Sequence, residues 1–213
     1  MFTVGPVQEN AYIVTAGRES GRALMVDPGE EPERLLAAAE ALGVQIEAVL
    51  ITHCHFDHIG AVAPVARATG APVYCPEMER PLLSDIMSWV PPGFGPFENW
   101  EPEHTVKGGE RLTLAGLEIE VVSTPGHSPG HVTYALPGAL LAGDVLFQGS
   151  VGRVDLPGGD WNVLEGSIAT LIERFPADTV VYPGHMGVTT LGRELQTNPF
   201  LAELRSAAGA PAR

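Results

Sequence analysis

The chain of 213 residues is long enough for one domain with a sizeable core, and 45% hydrophobic content with a mean hydropathy of +0.11 describes an ordinary globular protein. Acidic residues outnumber basic ones 26 to 12, a formal net charge of −14, which argues against a nucleic-acid or anionic-membrane surface, where phosphates demand a basic patch. No window approaches eighteen uninterrupted apolar residues, no charged region followed by a long apolar stretch opens the chain, and Cys54 and Cys75 form no CxxC pair. A cytoplasmic protein without a disulfide framework is expected.

In chain order, "NAYIVT" and "RALMVDPG" read as a strand pair joined by the turn "AGRESG". A helix follows over "EPERLLAAAEALG", with Leu35, Leu36, Ala39 and Leu42 at helical spacing and Gly43 placed to end it. "IEAVLIT" is a buried strand that delivers the chain into His53. The next helix is expected from near His58 to Gly70, then a strand "APVYC" and a single helix over "PEMERPLLSDIMSW". Residues 91–103, rich in Pro, Gly and aromatic side chains, read as a long loop between two halves, about 1–103 and 104–213. The second half opens with strands "ERLTLAG", "LEIEVVST", "HVTYALPG" and "ALLAGDVLF". It continues with a helix around "WNVLEGSIATLIERF", a strand "TVVYP" and a last helix around "LGRELQTNPFLAEL".

The stretch "THCHFDH" concentrates chemistry. In an extended segment alternate side chains point the same way, so His53 and His55 can grip one ion while Cys54 points away. Asp57 and His58, one turn further on, can reach a second. Three later residues share a position type: His127 after "IEVVSTPG", Asp144 after "ALLAG" and His185 after "TVVYPG" each follow an apolar run and a glycine. Strand ends are where side chains distant in sequence converge on one pocket. Five imidazoles and two carboxylates are too many for one tetrahedral zinc and suit two ions sharing a bridge. The bland alternative is a set of buried, hydrogen-bonded histidines without metal. His104, in a polar segment, is expected to be solvated.

The ordered set "THCHFDH", "PGHSPGH", "AGD" and "YPGH" resembles the metallo-β-lactamase superfamily of metal-dependent hydrolases over nearly the whole chain. "GDVLFQGSVGRVDLPGGD" and "TTLGRELQTNPFL" are most similar to its short glyoxalase II-like members. The resemblance implies an α/β fold, a four-layer αββα sandwich in a single domain with the metals at one edge of the sheets. It assigns His53, His55 and His127 to one divalent ion, Asp57, His58 and His185 to another, and Asp144 to both. His131 is placed outside the ligand set, hydrogen-bonded behind it. The implied cofactors are two zinc ions, with iron or manganese as alternatives. The implied activity is hydrolysis of a small-molecule 2-hydroxyacyl thioester, with Asp57 orienting the attacking water or carrying its proton. Full-length relatives continue into a glutathione-binding helical region, which is not expected here. Where they carry a substrate-gripping lysine, this chain has Arg153, which is expected to bind a substrate carboxylate in bidentate fashion, and Gly187 stands where they carry a tyrosine. A persulfide dioxygenase of the same fold, using one iron, is the alternative activity.

Overall fold

The computed structural model describes residues 1–207 and contains two six-stranded sheets. The first runs, in spatial and chain order, through β1 (Phe2–Val4), β2 (Glu9–Val14), β3 (Arg22–Val26), β4 (Gln45–Leu50), β5 (Val73–Pro76) and β6 (His104–Val106). The second is built from β7 (Arg111–Leu114), β8 (Leu117–Ser123), β9 (Val132–Leu136), β10 (Ala139–Gly143), β13 (Val180–Pro183) and β14 (Thr189–Thr190), in the order β14-β13-β10-β9-β8-β7. A small ribbon of β11 (Leu146–Phe147) and β12 (Ser150–Val151) lies between β10 and the helix that follows. The change of sheet falls after Val106, a little later than residue 103, because His104–Val106 adds to β5 in parallel. His104 is exposed, as expected, but sits in that edge strand with its ring 4.5 Å from the Tyr74 ring.

Period-two alternation explains the layers. Along β3, Ala23 and Met25 face the helices α1 (Pro32–Ala41) and α3 (Val62–Thr69), while Leu24 and Val26 face the other sheet. Along β4, Val49 packs outward and Ala48 and Leu50 inward, so a strand covered on both faces reads as one continuous apolar run. The second sheet mirrors this arrangement. Ile119, Val121, Tyr134 and Leu141 meet the first sheet, and Val122, Leu140, Ala142 and Val181 pack under α5 (Trp161–Arg174) and α6 (Leu191–Thr197).

Three expected helices are interrupted, each for an identifiable reason. The segment after His55 forms α2 (Phe56–Ile59) and then α3, because Pro64 has no N–H for the Gly60 carbonyl and Ala61 N donates instead to Pro28 O at 3.0 Å. The segment expected as one helix over 76–89 becomes a 3₁₀ turn, α4 (Arg80–Ser84) and a second 3₁₀ turn. Its ladder is intercepted by the long loop: Asn99 Oδ1 accepts from Ile86 N at 3.0 Å, and Trp100 N donates to Leu83 O at 3.1 Å. The last helix breaks after α6 at Asn198, which Pro199 holds extended, before α7 (Ala202–Ala207).

Hydrogen bonds tie the sheets together at one edge. Val132 N donates to Thr52 O at 2.9 Å, and the buried Tyr134 hydroxyl donates to Ile51 O at 2.9 Å. Buried Glu79 accepts from Cys54 N at 3.2 Å on one side and from Ser128 Oγ and Gly130 N, at 2.7 and 2.8 Å, on the other. Glu79→Ala therefore orphans two main-chain donors and a hydroxyl in the interior and should cost roughly 2–4 kcal/mol. Tyr134→Phe removes a single bond and should cost about 1 kcal/mol. Glu77→Ala, which touches only the exposed Lys107, should stay below about 1 kcal/mol. Urea unfolding of the metal-free protein checks the ranking, and an unchanged midpoint for Glu79→Ala would refute it.

Candidate metal centre

Each loop at this edge is anchored before it turns inward. After β4, Thr52 gives both its N–H and its hydroxyl to Asp27, at 2.7 and 2.6 Å, and Asp27 closes β3 in the left-handed region at φ 47°. After β8, Pro125 O accepts from Ser167 Oγ of α5 at 2.6 Å, which holds the turn leading to His127. β10 and β13 run parallel and end side by side, with Gly184 N donating to Gly143 O at 2.8 Å, so Asp144 and His185 emerge as neighbours. A Cβ on Gly184 would collide with Asp144 Oδ1 and the His58 ring, which is why a glycine precedes His185. Strand β2 of the other sheet fixes the same loop: Asn10 Nδ2 donates to Pro183 O and Met186 O, and the Tyr12 hydroxyl to Pro183 O at 2.7 Å.

The seven side chains singled out in the sequence converge. His53 Nε2, His55 Nδ1 and His127 Nε2 form a triangle with sides of 2.8, 3.1 and 3.2 Å. Three imidazoles on one zinc at ~2.0–2.1 Å stand about 3.3 Å apart, close to this spacing. Beside it, Asp57, His58 and His185 form a second group, with His185 Nε2 3.3 Å from Asp57 Oδ2. Asp144 lies between the groups. Its Oδ1 is 3.4 Å from His58 Nε2, and its Oδ2 is 3.4 Å from His127 Nε2 and 3.5 Å from His185 Nε2.

The outer nitrogens fix which lone pairs face inward. Thr52 Oγ1 has given its proton to Asp27, so it accepts from His53 Nδ1 at 3.1 Å. His58 Nδ1 donates to Asp27 Oδ2 at 3.0 Å, His127 Nδ1 to Arg153 O at 2.7 Å and His185 Nδ1 to Gln8 O at 3.3 Å. In the neutral ring the other nitrogen is then an acceptor pointing at the centre, the tautomer a metal ligand requires. His131 stays outside: its Nε2 accepts from Asp144 N at 3.1 Å, and its Nδ1 faces Thr124 Oγ1 at 3.0 Å.

The electrostatics favour positive charge in the middle. Burial and the neighbouring imidazoles push His53 well below its usual range and His55 to about 4, so both are neutral. Burial works against charge on Asp144 as well, but His58 and the other imidazoles outweigh it and hold the carboxyl well below the usual range. His58 moves up, because Asp144 and Asp57 overcome its desolvation, so it carries a proton that a bound cation would displace. His58 Nε2 and Asp144 Oδ1 are buried and face each other without a hydrogen-bond partner. A cation satisfies both atoms at once, and neutral nitrogens with ionised carboxylates are the donors that divalent metals take.

The centre forms the floor of a pocket of about 480 Å³. Arg153 lines it, but both atoms on one side of its guanidinium are occupied: Nε and Nη2 donate to Asp155 Oδ1 and Oδ2 at 2.6 and 2.7 Å. Asp27, Glu79 and Glu9 are missing from the sequence reading. Asp27 follows an apolar strand, as Asp144 and His185 do, and that position type was the available signal. Glu79 sits among other acids in "PEMER" and carries none. Glu9 is fully buried 3.8 Å from His58 Nδ1, and desolvation pushes its carboxyl well up.

The family model described as the metallo-β-lactamase superfamily matches residues 4–185. The chain is 35% identical to a protein of Haemophilus influenzae named hydroxyacylglutathione hydrolase GloC, over 94% of this chain and 96% of that one. Among solved structures it is similar to BLEG-1, a B3 metallo-β-lactamase, with a TM-score of 0.88 at 38% identity, covering 94% and 97% of the two chains. It is also similar to TTHA1623 in a di-iron-bound form, with a TM-score of 0.77 at 44% identity, covering 94% and 98%. With the two helix-covered sheets and the convergent histidines and aspartates, these matches lead to one conclusion: the chain belongs to the metallo-β-lactamase superfamily.

Proposed function

We propose that this protein is a metal-dependent hydrolase of 2-hydroxyacyl thioesters, using two divalent cations held at the edge of the sandwich. The observation that carries the reading is the inward convergence of seven donor atoms around two adjacent centres, with His58 Nε2 and Asp144 Oδ1 otherwise unsatisfied. His53, His55 and His127 would hold one ion, Asp57, His58 and His185 the other, and Asp144 would contact both. Zinc fits this nitrogen and oxygen donor set, as do iron and manganese, and the di-iron form of TTHA1623 supports keeping iron in view. When bound, such ions supply Lewis acidity, polarising a carbonyl oxygen and bringing the pKa of water to near 7.

The chain's own groups supply the rest. Burial raises Asp57, but His58 and His185 outweigh it and keep the carboxyl below its usual range, so it is ionised and able to orient an attacking water and take its proton. Among the described residues lining the pocket there is no lysine or tyrosine to protonate a leaving group. A thiolate, whose parent thiol has a pKa near 8.5, leaves without such help, whereas an amine or alkoxide does not. The name of the Haemophilus relative, a hydroxyacylglutathione hydrolase, supports a 2-hydroxyacyl group.

Elemental analysis after reconstitution should find two ions per chain. Asp144→Ala should disturb both sites and abolish turnover. His131→Ala, which frees the Asp144 N–H and the Thr124 hydroxyl behind the ligands, should weaken metal binding by about 10–100-fold. Full metal content and activity in Asp144→Ala would remove the bridge from the scheme.

Turnover is tested with protein of measured metal content against 2-hydroxyacyl thioesters, simple esters, lactones and a β-lactam. Thioesters should be cleaved with kcat/KM at least tenfold above matched oxygen esters. A single iron per chain, with oxygen uptake on a persulfide and no thioester cleavage, would replace this reading with the dioxygenase.

A further inference from the structure

We infer that the pocket above the metal centre accepts a thioester whose thiol arm is uncharged and apolar, and disfavours a peptide arm bearing carboxylates. The inference rests on the hydrolase reading for the bond that is broken, and on the pocket walls for the arm that is recognised.

Two independent features of the walls carry it. The first is apolar surface left open at the mouth. Met78 and Trp89 are 65% and 58% exposed, although both line the pocket, and Phe56, Leu82 and Leu156 line it with them. Large side chains kept in water around a concave site mark a place where an apolar group is received. Trp89 offers a flat ring, and Met78 a flexible thioether that fits varied shapes.

The second feature is the shortage of a free cation away from the metal floor: Arg153 is the one lysine or arginine that lines the pocket among the described residues. Arg153 is the residue from which the sequence reading expected a grip on a substrate carboxylate. Its Nε and Nη2 are instead taken up in a two-point pair with Asp155, and the two charges cancel. A second opening of about 440 Å³, which shares His185 and Asp144 with the first, is lined by the same Arg153 and no other lysine or arginine among the described residues. An arm with two carboxylates would therefore meet apolar side chains, with the one side-chain cation already engaged. Asp155 thus acts as a specificity residue by occupying Arg153.

The experiment separates recognition from turnover. Binding to the metal-loaded protein is followed by isothermal titration calorimetry, which reads the unaltered protein and each variant alike. The probes are benzyl methyl sulfide and S-methylglutathione, a neutral aromatic and a peptide thioether that cannot be hydrolysed. Benzyl methyl sulfide should bind at least tenfold more tightly, and Trp89→Ala should weaken it several-fold. Asp155→Ala should leave its affinity unchanged and raise that of S-methylglutathione by up to about fivefold, the range of an exposed ion pair. In turnover, the lactoyl thioester of benzyl mercaptan should exceed S-lactoylglutathione at least tenfold in kcat/KM. Equal or tighter binding of S-methylglutathione by the unaltered protein would overturn the inference, as would Trp89→Ala without effect on either probe. If the binding preference holds and neither thioester is cleaved, the hydrolase reading fails and the pocket's preference stands.

Discussion

The site depends on the direction in which a few strands are made to run. β3, β4 and β5 are mutually parallel, and so are β10 and β13. β8 reaches the same orientation through two antiparallel steps across β9. The carboxyl ends of β3, β4, β8, β10 and β13 therefore open at one edge, and these strands lead into Asp27, His53, His127, Asp144 and His185 respectively. A parallel pair needs a crossover between its strands, and those crossovers are the helices that cover the outer faces. The same pairing that encloses the core thus leaves one edge free for polar side chains.

Gathering five imidazoles and several carboxylates in a buried space is costly unless each group has a defined partner. The solution here is layered. Main-chain carbonyls, Thr52 and Asp27 take the outward protons of the rings. Asp27 meets three donors at once, two on Thr52 and one on His58, and so couples the entry to the histidine cluster with the orientation of its last ring. Glu79 does for Cys54 and the turn at Ser128 what Asp27 does for Thr52. Of the inner atoms, His58 Nε2 and Asp144 Oδ1 remain without a hydrogen-bond partner, which leaves a place for a cation between them.

Much of this was legible in the sequence because it is local. The doubly apolar "IEAVLIT", the alternation of "LEIEVVST" and the glycine before each late polar residue are short-range signals, and the strands and the seven converging side chains follow from them. What was not legible is set by residues far away in the chain. Nothing within 76–89 announces that Asn99 and Trp100 will take over its hydrogen bonds. Glu79 resembles its exposed neighbour Glu77 until Ser128 and Gly130 are folded against it. Arg153 is a local exception: its partner Asp155 lies two residues on, and only the backbone between them shows that the two side chains meet.

The split origin of the centre has a thermodynamic consequence. His53 and His127 lie 74 residues apart, one in the loop after β4 and the other in the loop after β8, and neither sheet alone holds the triangle of nitrogens. An ion bound there recognises only the state in which the two sheets have docked, so by linkage its binding free energy is added to the stability of that docking. At an ion concentration about 1,000 times its dissociation constant, the addition is about 4 kcal/mol, a sizeable fraction of the total stability of a typical domain. Metal supply thereby sets the population of the assembled sandwich as well as its chemistry, and a chain starved of metal is short of stability before it is short of activity.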